Sequence, residues 1–294
     1  MPLLDTKITV LDKVYTVDYW MPGDPVITGS IDLSTDTETE WIIKGSPIKP
    51  VIAQVCDLAT QHVQVVWYTL WPDYFAQLNA ANPTAEWTFH NAPFDIKVLG
   101  DPRLPENSWL MKLLDANRIT DTGVRFALTE LTLGKYMGRW GLDYAAERRL
   151  GLKVDKGKGK KGMSKEERAK VKAESERMTF KQTNPDGTPW NITEPHIIYA
   201  AKDAIVTALV KLSMPMPLPT EEVCLLGNIA LEDIADTGML VDSELRTKHL
   251  AEYEERVRRS EDILWMFGWN SGTGYQNTAA TNDMMEFIEQ GEDL

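Results

Sequence analysis

The chain has 294 residues, 43% of them hydrophobic and 26% charged, a balance that supports a globular core of normal size. Two distant cysteines, Cys56 and Cys224, form neither a disulfide framework nor a metal-binding pattern, no apolar stretch nears the roughly 18 residues of a membrane span, and MPLLDTKITV lacks the features of a signal peptide. These features point to a reduced, cytoplasmic protein away from membranes; the net charge of −13 disfavours nucleic acid only for the chain as a whole, because a groove that holds cations through carboxylates is itself acidic.

Residues 6–20 (TKITVLDKVYTVDYW) alternate apolar and polar about a polar centre and predict a β-hairpin. MPGDPVITGS at 21–30, with two Pro and two Gly, reads as a connector. Three short β-branched runs, Ile31–Asp36, Val51–Leu58 and Val63–Leu70, predict strands. A helix near Pro72–Ala80, a strand at Glu86–His90 and a helix from Pro93 to Leu99 follow, and helical pattern continues from about Trp109 to Leu150.

The stretch 151–189 interrupts this pattern. Nine basic residues stand against three acidic ones between Lys153 and Lys172, with glycines alternating in GKGKKG. A solvated loop is the plain reading, and a basic flap on a phosphate backbone is the functional one. Thr193, with Pro195 in the first turn, opens a helix through HIIYAAKDAIVTALVKL to the break MPMPLP at 214–219. Helices near 221–236, 243–267 and 279–290 complete the chain.

Four carboxylates stand in three motifs. Asp36-Thr37-Glu38 ends the first sheet strand, and alternation places Asp36 and Glu38 on one face. Asn91-Ala92-Pro93-Phe94-Asp95 lies where a strand passes into a helix. Tyr199 and Asp203, four apart on a helix, project together. Each motif alone is weak, as a second Asp-x-Glu at Asp242–Glu244 shows. A strand end, a helix cap at Asn91, a half-buried Tyr199 and an exposed Asp203 are the bland alternatives. Their order, each on the element type that chemistry needs, makes the combination specific.

The segments STDTETE, FHNAPFD and IIYAAKDAIVT resemble the three exonuclease motifs of bacterial DNA polymerase I and its phage relatives, the tyrosine variant of the four-carboxylate 3′→5′ exonucleases. Asp121-Thr122 is similar to that family's Asp-Thr before a helix, and the likeness spans roughly 27–213. It implies an α/β fold, a ribonuclease H-like mixed sheet flanked by helices, ending in a small all-α segment. It implies two divalent cations, Mg²⁺ or Mn²⁺, about 3.5–4 Å apart. Asp36, Glu38 and Asp203 would hold one of them. Asp36 would bridge to the second, held by Asp95 through water. Tyr199 would orient the attacking water with Glu38. The substrate would be a single-stranded DNA 3′ end or primer-template DNA, shortened by nucleoside 5′-monophosphates. Beside the motifs, His90, Asn91, Phe94, Trp41 and Ile42 are candidate substrate contacts, though core packing suits the apolar ones equally.

The segment LLGNIALEDIADTGMLVDSELRTKHL resembles the first thumb helices of a family A polymerase, without that family's palm and fingers motifs. The expected organisation is a hairpin extension at 1–26, the exonuclease domain at 27–215 and a thumb-like helical segment at 216–294. Such a chain is a fragment of a longer polymerase or a subunit with a separate polymerase partner. Two rivals remain: a ribonuclease D-like exoribonuclease, and a nucleic-acid-binding module that has lost its chemistry.

Overall fold

A computed structural model describes residues 6–40, 42, 46–101, 103–135, 138–154, 164, 175, 179–184, 190–215, 217, 219–237 and 243–266. The chain divides into two compact units, Met1–Asp236 and Thr237–Leu294. The first is built on a seven-stranded sheet: β1 (Thr6–Val10), β2 (Lys13–Tyr19), β3 (Asp32–Thr39), β4 (Pro50–Asp57), β5 (His62–Trp67), β6 (Glu86–Phe89) and β7 (Ile119–Asp121). Its order is β1-β2-β5-β4-β3-β6-β7. Strand β4 runs antiparallel to β3 and β5, while β6 and β7 continue parallel to β3. This is the ribonuclease H-like arrangement, extended at the β5 edge by the hairpin β1–β2. The hairpin closes through Leu11 and Asp12, both at positive φ (47° and 63°), as a two-residue type I′ turn requires.

Helices cover both faces. Helices α1 (Trp71–Ala81), α2 (Ala92–Leu99) and α3 (Ser108–Asp115) share one core with Ala53 and Val55 of β4. In that core Phe75 stacks on Trp109 and meets Trp87 at a tilt. Helices α4 (Thr122–Thr132), α5 (Leu142–Leu150) and α6 (Glu194–Leu212) share the other core with Ile52 and Cys56. Alternation along β4 thus feeds two cores, the pattern of a strand buried on both sides. Burial drives the Cys56 thiol well above its usual range, which suits an inert core residue. Helix α6, rich in Ala, Ile and Val, crosses β3 and β4. Helix α7 (Glu221–Thr237) runs to the end of the first unit, and α8 (Ser243–Met266) lies in the second.

Three expectations change. Strand β3 runs to Thr39, so Asp36 and Glu38 lie within its ladder, opposite Gln54 and Ile52, rather than at its end. The polar run TDTET disguised this extension, because its residues from Asp36 to Thr39 line a cavity. The helical pattern from Trp109 to Leu150 is broken by β7 and by three separate helices. A strand of three residues is too short to show a period. The run Val63–Leu70 ends its strand at Trp67 and turns through a short 3₁₀ segment, Tyr68–Leu70. Of the basic stretch 153–172 only residues 153, 154 and 164 are described, and the helix expected at 279–290 lies outside the described residues. Among the described residues no helix is long and apolar enough to cross a membrane.

Candidate metal centre and active site

Strand β3 and helix α6 supply the centre. Asp36 and Glu38, two apart on β3, face α6, where Asp203 sits one turn beyond Tyr199. One carboxylate oxygen from each of Asp36, Glu38 and Asp203 lies within 4.8 Å of the others. Glu38 (7% exposed) and Asp203 (4%) are buried, and Asp36 is partly so. Gln54, directly across the ladder on β4, donates from Nε2 to Asp36 Oδ2 at 2.7 Å and orients that carboxylate. The bland alternative of an exposed Asp203 does not hold, because the residue is buried.

Asp95 arrives from the other side of β3. It is 1% exposed in the first turn of α2, and its Oδ1 accepts from the Thr37 backbone N–H at 3.1 Å and the Thr37 hydroxyl at 2.6 Å. Burial, and then the nearby Asp36 charge, drives the Asp95 carboxyl well above its usual range, against the opposing pull of Thr37. Asp95 lines the same cavity but stands apart from the three-carboxylate group.

The turn that delivers Asp95 depends on Asn91 and Asp121. Asn91 occupies the cap position of α2 at φ 74°, ψ 53°, a left-handed conformation that Asn tolerates. Its side chain makes no capping bond there, contrary to the helix-cap reading. Asp121, fully buried, does the holding instead. It accepts from the N–H groups of Asn91 (3.0 Å) and Ala92 (2.8 Å), and caps α4 through Gly123 (2.7 Å) and Val124 (3.3 Å). One carboxylate thus ties two helix starts together.

A cavity of about 440 Å³ gathers Asp36, Glu38, Asp95, Tyr199 and Asp203 with His90, Asn91, Phe94 and Ile42. Trp41 lies outside the described residues. The cavity also takes in Thr37, Glu40, Trp140 and Asp143, which sequence reasoning passed over. Trp140 stacks beside His90, with ring centroids 6.4 Å apart and planes 30° apart, and His90 Nδ1 lies 2.8 Å from Thr122 Oγ1. For Gln54 a signal existed: a lone amide in the apolar run VIAQVC. For Trp140 there was none, because its distance in sequence from every motif hides its place. Behind Tyr199, Phe180 packs at 6.3 Å and also meets His196, whose two ring nitrogens reach Thr179 and Thr193. Thr193, which opens α6 as the sequence suggests, stands at the cap position and pairs its hydroxyl with His196.

The donor set fits a hard divalent cation. Three carboxylates this close repel by about 3 kcal/mol per pair at an effective dielectric near 20, and a cation relieves all the pairs at once. All-oxygen ligation suits Mg²⁺ or Mn²⁺.

No protein-family model matches the chain, and no curated protein matches it. Similar solved structures include Brucella melitensis NrnC, at 15% identity and TM-score 0.45 over 71% of this chain and 87% of that one. The Aedes aegypti Nibbler EXO domain aligns at 13% identity and TM-score 0.46 over 68% and 87%. Trypanosoma brucei RNase D aligns at 16% identity and TM-score 0.43 over 69% and 64%. NrnC has been solved with bound Mg²⁺ and bound to pGG, and the RNase D in complex with RNA U12. At these scores no residue role is carried across, and the chemistry rests on the side chains themselves.

Proposed function

We propose that this chain is a metal-dependent 3′→5′ exonuclease that removes nucleoside 5′-monophosphates from DNA 3′ ends. The observation that carries the reading is the convergence of Asp36, Glu38 and Asp203 from a strand and a helix, in a cavity that also receives Asp95 and Tyr199. Two divalent cations, when bound, supply an activated water and stabilise charge on the attacking and leaving oxygens. Asp36, Glu38 and Asp203 would hold one, and Asp36 with Asp95 the other. The Tyr199 hydroxyl and Glu38 orient the attacking water by hydrogen bonding. His90, Asn91, Phe94 and Ile42 form the walls against which a splayed terminal nucleotide lies, and Trp41 adjoins Ile42 in sequence.

The choice of DNA rests on sequence. The thumb-like segment within 216–294 supports a place beside a family A polymerase, as part of its chain or as its separate proofreading subunit. Helices α7 and α8 fall within that segment.

The test is mononucleotide release from labelled single-stranded DNA and a matched RNA, with Mg²⁺, with Mn²⁺ and with chelator. Metal-dependent release from the DNA 3′ end is expected. Preference for the RNA would replace DNA by RNA as substrate, and binding without release would leave only a nucleic-acid-binding module. Asp203→Ala is expected to lower the rate by about 10³-fold or more, since it removes a metal ligand worth several kcal/mol. Tyr199→Phe, which loses one water-positioning hydrogen bond, should cost about 10- to 100-fold. Equal losses in both variants would show that the tyrosine role is misassigned.

A further inference from the structure

The carboxylate cavity has a neighbour. A second cavity of about 550 Å³ shares Trp140, Gly141 and Asp143 with it and is further lined by Arg139, Tyr144, Glu147 and Lys153. The two differ in charge. Among the described residues six acidic ones and no Lys or Arg line the first, whereas in the second Arg139 and Lys153 stand against Asp143 and Glu147. Polynucleotides carry one negative charge per nucleotide, so a strand whose end enters the acidic cavity needs cations just upstream.

Trp140 is the partition. It stays 42% exposed although it is firmly seated, packed against His90 on one side and over Gly123 on another. A Cβ at Gly123 would come within 2.9 Å of the Trp140 ring, so the glycine makes room for that seat. A fixed, half-exposed indole between two cavities is a stacking surface with low ordering cost. Tyr144 adds a second ring, with the Arg139 guanidinium 6.0 Å above it.

We infer that the second cavity binds the nucleotide upstream of the one being released, its base stacked on Trp140 or Tyr144 and its phosphate facing Arg139 and Lys153. The ligand class is a single-stranded polynucleotide longer than a dinucleotide. This rests on the nuclease reading above, and the experiment separates the two.

Cleavage of a dinucleotide and of a single-stranded hexanucleotide is compared by kcat/KM in the full chain and in the Arg139→Ala, Lys153→Ala double variant, together with anisotropy of the labelled hexanucleotide across a salt series. Both substitutions fall on exposed side chains. The expected wild-type preference for the hexanucleotide is tenfold or more, falling toward unity in the double variant through KM. Hexanucleotide affinity should drop about tenfold, and the slope of log affinity against log salt by about 0.7 per phosphate contact removed. Trp140→Leu should weaken the hexanucleotide without changing that slope. Dinucleotide cleavage with no hexanucleotide preference, or a preference that survives the double variant, overturns this inference alone. Cleavage of neither, with binding that still depends on Arg139 and Lys153, overturns the nuclease reading alone. Neither cleavage nor binding overturns both.

Discussion

At the scale of single residues, the centre sets function against stability. Asp36, Glu38 and Asp203 are held within 4.8 Å of one another, two of them buried, where like charges repel. Asp203→Asn keeps the shape and removes one charge. In chelator it should raise Tm by at least about 2 °C, as 1 kcal/mol does in a unit of this size, and it should abolish the rise in Tm that bound Mn²⁺ is expected to give the wild type. A lower metal-free Tm in this variant would mean that the carboxylates do not strain the fold. Asp121 carries a different load. Burial pushes its carboxyl above the usual range, although four backbone N–H groups pull it back. The folded state therefore keeps this proton more readily than the unfolded chain. The stability it contributes is fully present below the unfolded value and is lost as pH rises through the folded one. The wild type should accordingly gain stability relative to Asp121→Asn as pH falls from neutral toward the ordinary carboxylate value near 4. A difference in Tm that stays constant from neutral pH down to about 4 would refute the raised carboxyl.

At the scale of elements, β3 is the organiser, because its two faces carry different parts of the centre. Asp36 and Glu38 look toward α6, while Thr37, between them, holds Asp95 of α2 by both its N–H and its hydroxyl. A shift of one residue in the β3–β4 register would exchange these faces and also lose the Gln54–Asp36 bond. Thr37→Val keeps the β-branched shape and the backbone bond and removes only the hydroxyl. If Asp95 is a ligand, Mn²⁺ affinity and cleavage rate should fall together by about 10- to 100-fold, as they do when a ligand loses its orienting partner. Calorimetric titration measures the first, and unchanged affinity would take Asp95 out of the ligand set.

At the scale of the whole first unit, remote segments are joined through buried polar groups. Arg125 on α4 makes a bidentate pair with Glu221 at the start of α7, 96 residues away, and both side chains are almost wholly buried. Nearby, Lys211 of α6 reaches Asp32 (2.8 Å) and Glu86 (2.9 Å) and so ties that helix to β3 and β6. Removing one partner of a buried pair leaves an uncompensated charge. Glu221→Ala should therefore destabilise by about 3–5 kcal/mol in denaturant unfolding. Arg125→Met with Glu221→Leu should recover most of that loss. A mild effect of the single change would show that water reaches Arg125.

Much of the site could be read from the sequence because its chemistry is local. An i, i+2 pair on a strand, an i, i+4 pair on a helix and a strand-to-helix Asp each obey the period of their own element. The alternation of β1 and β2 and the apolar run of α6 were legible for the same reason. Tertiary structure alone decided the rest, since it depends on contacts between residues distant in the chain. Only the packing of α6 across β3 brings Asp203 to Asp36 and Glu38. The capture of two helix starts by Asp121, the clasp of Thr37 on Asp95 and the arrival of Trp140 beside His90 have no period to announce them. A three-residue strand such as β7 is likewise defined by its neighbour β6 and not by its own sequence. Local periodicity determined which side chains share a face of their own element, and long-range packing determined which of them meet in the candidate site.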